Sequence, residues 1–137
     1  MIMKKKEEDL QKKIVQFQVL EATFKTLQDR ANLINQNLDE LRKTKIAIED
    51  LKKTKPNKAL IPLGSGNFVY GTIENNENVI VGIGAGIAIK KKREESIEIL
   101  DNKIREMENV LDDVTTRAQG ILEKIEEIQM ELEELQK

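Results

Sequence analysis

Three clusters in this chain hold residue types that could do chemistry. Gly82-Ile83-Gly84-Ala85-Gly86 follows a β-branched run, and in a dinucleotide site such glycines let the backbone approach a pyrophosphate. That chemistry also needs a further glycine and a helix opening behind it, whereas Ile87, Ala88 and Ile89 continue as strand. The glycines therefore read as a tight turn and a close strand approach. Lys90-Lys91-Lys92-Arg93 precedes a heptad run and could contact phosphates as a basic zipper does. A basic zipper needs a cationic helix long enough to follow a major groove, and this cluster is four residues placed after a strand. With Arg42 and lysines 43, 45, 52, 53, 55 and 58 it forms a positive collar, read as solvated charge that blunts sheet edges. The third cluster, Glu123, Glu126, Glu127, Glu131, Glu133 and Glu134, has the pattern of a solvated helix face.

Histidine and cysteine are both absent. That removes Ser-His-Asp and Cys-His nucleophiles, zinc–thiolate sites and disulfides, and leaves only oxygen ligands for any metal. No catalytic residue, metal or cofactor is expected, and the chain is not expected to be an enzyme. The net charge of −2 argues against a general nucleic-acid binder. The longest uncharged apolar run, Val79 to Ile89, is broken by three glycines and is too short for a membrane span. Lys4 to Lys6 run straight into Glu7, Glu8 and Asp9 with no apolar segment behind them, so no signal peptide is expected. Together with the missing cysteines this points to a cytoplasmic protein without a membrane partner.

What positions these residues is set by the rest of the sequence. The chain has 137 residues, of which 35% are charged and 3% aromatic, a balance that favours long helices over a close-packed globule. From Leu10 to Ile48 a 3,4 spacing selects Leu10, Lys13, Phe17, Leu20, Phe24, Leu27, Ala31, Ile34, Leu38, Leu41, Lys45 and Ile48, ten of the twelve apolar. From Ile97 to Leu135 it selects Ile97, Leu100, Ile104, Met107, Leu111, Val114, Ala118, Ile121, Ile125, Ile128, Leu132 and Leu135, all twelve apolar. A sustained 3.5-residue repeat is the mark of a coiled coil, because a lone helix drifts about 20° per heptad from such a seam. The bland alternative is two amphipathic helices on a globular core.

The seams have equal length, 39 residues each, and folding back places Ile48 beside Ile97 and Leu10 beside Leu135. Residues 1–13 hold five lysines against three acids and residues 121–137 six glutamates against two lysines, so the two ends attract in an antiparallel hairpin. Gly120, with Thr115 and Thr116, makes a soft spot off the seam and not a break.

Between the seams, Ala59 to Lys92 alternates β-branched runs with Gly- and Asn-rich pairs, the pattern of two β-hairpins. Pro56 is expected to end the first helix, and Pro62 suits an edge strand or a bulge. Four short strands cannot cover both their faces and their edges, so other subunits must complete them. Phe68, Val69, Ile73, Val79, Val81, Ile83, Ile87 and Ile89 are the candidate assembly residues. The fold class is α+β, mostly α: a long antiparallel two-helix coiled coil with two central β-hairpins. Its parts are residues 1–55 (first coil helix), 56–92 (double hairpin) and 93–137 (second coil helix). At the free end of the coil Ile2, Met3, Leu10, Ile128, Met130, Leu132 and Leu135 meet, either as fraying ends or as an adaptable apolar surface.

A long helix, then IPLGSGNFVYGTIE and NVIVGIGAGIAIKK, then a second long helix resembles the alpha subunit of archaeal-type prefoldin. The resemblance spans the chain in architecture and is most specific in the hairpins, whose number assigns the alpha class. It implies an ATP-independent chaperone whose hairpins join those of other subunits in an intersubunit β-barrel. Two alpha and four beta subunits would form a hexamer, hold non-native client proteins at the coil tips and pass them to a group II chaperonin. The short linker from Asn75 to Asn78 departs from the usual pattern and leaves open a filament-forming, purely structural assembly.

Overall fold

The computed structural model of the chain describes residues 2–53, 58–74 and 76–136. The element order is α1 (Ile2–Asp50), β1 (Lys58–Gly64), β2 (Asn67–Thr72), β3 (Asn78–Gly84), β4 (Ile87–Lys92) and α2 (Arg93–Gln136). This is the mostly α architecture with two antiparallel hairpins that the periodicities predict. The chain divides into two compact units, one made of residues up to Asn37 with those from Met107, the other of Leu38–Glu106.

In the first unit the N-terminal part of α1 packs antiparallel to the C-terminal part of α2. Its best-covered side chains are Ile34, Val114 and Ile125, all seam residues. Lys13, a polar exception on the α1 seam, pairs with Glu131 across the helices. The predicted register sets Lys13 opposite Leu132, so the lysine stem lies over the seam and its ammonium reaches the preceding residue of α2. In the second unit the core is Leu38, Leu100 and Ile104. There Lys45, the other polar exception, pairs with Asp101 at 2.6 Å, again one residue from its predicted seam partner, Leu100. Every one of the seam positions named from the sequence is buried or half-buried.

α2 runs unbroken through Gly120, as a soft spot off the seam allows. The nearby Thr115 turns its hydroxyl back to the carbonyls of Leu111 and Asp112, at 2.9 and 3.1 Å. α1 ends earlier than Pro56 suggests. Beyond Asp50 the N–H groups of Leu51, Lys52 and Lys53 donate to the carbonyls three residues back, a tightened last turn. Pro56 itself, Lys55 and Asn75 lie outside the described residues.

Among the described residues β1 pairs only with β2 and β3 only with β4. The two hairpins share one plan. Gly64 pairs with Asn67 across the turn Ser65-Gly66, with a register shift after Pro62; Gly84 pairs with Ile87 across Ala85-Gly86, with a register shift after Gly82. Both turn residues are left-handed in each case, with φ of 50° and 80° at Ser65 and Gly66 and 53° and 74° at Ala85 and Gly86. Two successive positive φ values give the turn whose twist matches a right-handed strand pair. The predicted turns are therefore present, but Gly82 has no neighbouring atom within 4 Å of where a Cβ would be. Close strand approach does not explain that glycine in the isolated chain.

Candidate functional site

Each hairpin is a two-faced ribbon. Register and alternation put Leu60, Pro62, Phe68 and Tyr70 on one face of the first hairpin and Ala59, Ile61, Val69 and Gly71 on the other. The Ile61 side chain lies over Gly71, where a Cβ would overlap its Cδ1 and make that side chain move. In the second hairpin Val79, Val81, Ile89 and Lys91 share a half-covered face, while Ile80, Gly82, Ala88, Lys90 and most of Lys92 share the open one.

Of the assembly residues expected from the sequence, Phe68, Val69, Ile83 and Ile87 are exposed, and Ile73, Val79, Val81 and Ile89 are half-buried. Five further large apolar side chains on the hairpins are exposed as well: Leu60, Ile61, Leu63, Tyr70 and Ile80. The sequence carried a signal for them. In LIPL and FVY adjacent residues are apolar, and neighbours on a strand point to opposite faces, so both faces must be apolar.

The second candidate surface lies in the first unit. Ile2, Met3 and Met130 are 87%, 82% and 67% exposed. Leu10, Ile128, Leu132 and Leu135 are half-buried along the seam, so the structure separates the seven tip residues into three open and four partly covered. Ile128 also lines an open groove of about 490 Å³ with Val15, Gln16, Val19, Leu20, Lys124 and Glu127. Val15 and Val19, both exposed, lie off the seam one helical turn apart, a placement that a search confined to the 3,4 spacing passes over.

The positive collar is less uniform than a solvated patch. Lys43 pairs with Asp39 at 2.9 Å and Lys91 approaches Glu95 at 3.9 Å. The hydrogen bond from Lys45 to Asp101, offset by slight desolvation and aided by the charges of Asp101 and Glu49, raises the lysine above its ordinary value. Arg93 corrects the expectation outright, because it is only 9% exposed. Its Nη1 donates to the Asn76 carbonyl at 2.7 Å and its Nη2 to Glu94 Oε1 at 2.9 Å. Glu94 is held below the ordinary carboxyl range chiefly by its own backbone N–H, with Arg93 and Lys52 adding charge. Among the described residues no group of three carboxylates is placed to hold a metal ion, and no helix is long and apolar enough to cross a membrane.

Against known proteins, the family model described as "Prefoldin subunit" matches residues 20–137. A prefoldin subunit alpha from Pyrococcus horikoshii is 30% identical over 126 residues, covering 90% of this chain and 82% of that one. Another from Archaeoglobus fulgidus is 31% identical over 127 residues, covering 92% and 93%. Among solved structures, a filamentous PFD from Methanocaldococcus jannaschii, determined by cryo-EM, aligns with a TM-score of 0.73 at 20% identity over 83% of this chain and 95% of that one.

Proposed function

The chain belongs to the prefoldin subunit family, and from that premise we propose that it is the alpha subunit of an ATP-independent holdase. The hairpins join those of beta subunits, two alpha with four beta, in an intersubunit barrel. The helix ends hold non-native proteins in the cytoplasm and release them to a group II chaperonin. The observation that carries this reading is the exposure of Ile2, Met3 and Met130, apolar side chains that hairpin assembly leaves unaccounted for. Flexible thioethers and a lone isoleucine among lysines and glutamates suit weak, adaptable contact with unlike clients, and a large fixed patch would join the tips to one another.

The test is light scattering of a diluted, unfolded client with full-length or truncated chain, each reconstituted with the same beta partner. Removing residues 1–9 and 129–137 is expected to leave the oligomer intact and to abolish most of the protection. Equal protection by both forms would move the client site to the coil flank around Val15 and Val19 or to the hairpins. A second reading, a filament-forming scaffold whose coils are spacers, is favoured by the fold likeness to the filamentous PFD. Extended particles from the chain alone, without suppression of aggregation, would establish it over the first.

A further inference from the structure

The polar contacts at the root of the second unit form one connected set. Arg93, the first residue of α2, is nearly covered, and both terminal nitrogens of its fork are engaged at short range, Nη1 by the Asn76 carbonyl and Nη2 by Glu94. Its backbone N–H donates to the Glu77 carbonyl at 2.8 Å. Asn76 in turn donates from Nδ2 to the Leu51 carbonyl at 3.0 Å, just past the end of α1. One arginine and one asparagine thus tie together the end of α1, the linker between the hairpins and the start of α2. The carbonyls of Leu51 and Asn76 are satisfied by donors within the chain, in a region where no buried side-chain polar atom among the described residues lacks a partner. A lysine at 93 could not repeat this, because a single ammonium on a flexible stem lacks the planar fork that reaches the Asn76 carbonyl and Glu94 together.

We infer that Arg93 and Asn76 are positioning residues, which fix the roots of both helices to the linker and so set where the hairpins stand against the helix ends. The consequence for assembly rests on the hairpins being the assembly module; the linkage itself does not, and it is tested in the full-length chain before any partner is added. Hydrogen exchange is followed at the amides of Arg93, Lys52 and Lys53 in Arg93→Met, Arg93→Lys, Asn76→Asp and the Arg93→Met/Asn76→Asp double variant. Asp at 76 keeps the shape and removes the donor to Leu51.

Each single change is expected to speed exchange at both helix ends by about 10- to 100-fold, the loss of one hydrogen bond to or from a charged or buried group. Amides beside Ile34 and Val114 should keep their protection. The double variant should exchange no more than slightly faster than either single one, because both break the same chain of bonds. Arg93→Lys should resemble Arg93→Met. The inference is overturned by exchange that rises only at the mutated helix end, by multiplicative effects in the double variant, or by full rescue with lysine. Should Arg93→Met fail to fold, Asn76→Asp decides alone: faster exchange at the Arg93 amide supports the linkage and unchanged exchange refutes it. Because the chain has no cysteine, spin labels at Ile46→Cys and Lys90→Cys give a second measure. Their distance distribution should broaden on Asn76→Asp, and an unchanged distribution refutes a positioning role.

Discussion

The helical seams and the hairpins draw on the same aliphatic residues and leave them at opposite extremes of exposure. Leu38 and Val114 on the seams are 1% and 2% exposed within a single chain, while Leu63, Ile80 and Tyr70 on the hairpins are 69%, 71% and 78% exposed. The cause is geometric. A helix satisfies its backbone internally and has one apolar stripe to cover, which a second helix of the same chain can do. A two-stranded ribbon has two faces and two open edges, and neither hairpin pairs with the other. Folding of the single chain covers one region and leaves the other open, so under the proposed assembly through the hairpins stability and association are separable.

Substitutions that act on one region and spare the other can break or sharpen that contrast. The largest effect is expected from a charge on a hairpin. Phe68→Asp, on the open face, and Val81→Asp, on the half-covered one, should each weaken association by at least about 2 kcal/mol, as loss of an interface anchor does. Sedimentation should show smaller particles while circular dichroism keeps the helical signal; unchanged sedimentation would deny the hairpins their assembly role. Next come Leu38→Ala and Ile104→Ala, each expected to cost about 2–4 kcal/mol for a buried aliphatic in the second unit. Their thermal melts should fall while the subunit still enters the oligomer, and neutrality of both would contradict the seam register. The smallest effect is a gain. Gly120→Ala meets nothing within 4 Å and should stabilise α2 by about 1 kcal/mol, seen as a higher melting temperature with assembly untouched.

The seams were legible because a 3.5-residue period leaves little choice of face, and even the exceptions Lys13 and Lys45 sit where their ion pairs with Glu131 and Asp101 require. The turns were legible because Ser65-Gly66 and Ala85-Gly86 match the chemistry of tight hairpins. In the hairpins the adjacent apolar residues of LIPL and FVY mark both faces as apolar, but which side chains stay open follows from the strand register that sets Tyr70 and Ile80, and no local pattern prints that register. Arg93 was hidden for another reason. At the end of a run of like cations it looks the same as Lys92, and only the folded chain brings it to Asn76, seventeen residues away. The end of α1 was obscured likewise, because the asparagine that takes up the Leu51 carbonyl lies twenty-five residues downstream and leaves no local mark.

The open position of Met3 and Met130 has a chemical consequence apart from any contact they make. In a chain without cysteine, thioethers are the sulfur that an oxidant can reach, and these two stand unshielded on a surface proposed to grip by its apolarity. Conversion to the sulfoxide would turn each into a polar, hydrogen-bond-accepting group without disturbing the seam or the hairpins. Oxidative injury would then silence the grip and leave the framework standing, in a form that methionine sulfoxide reductases can restore.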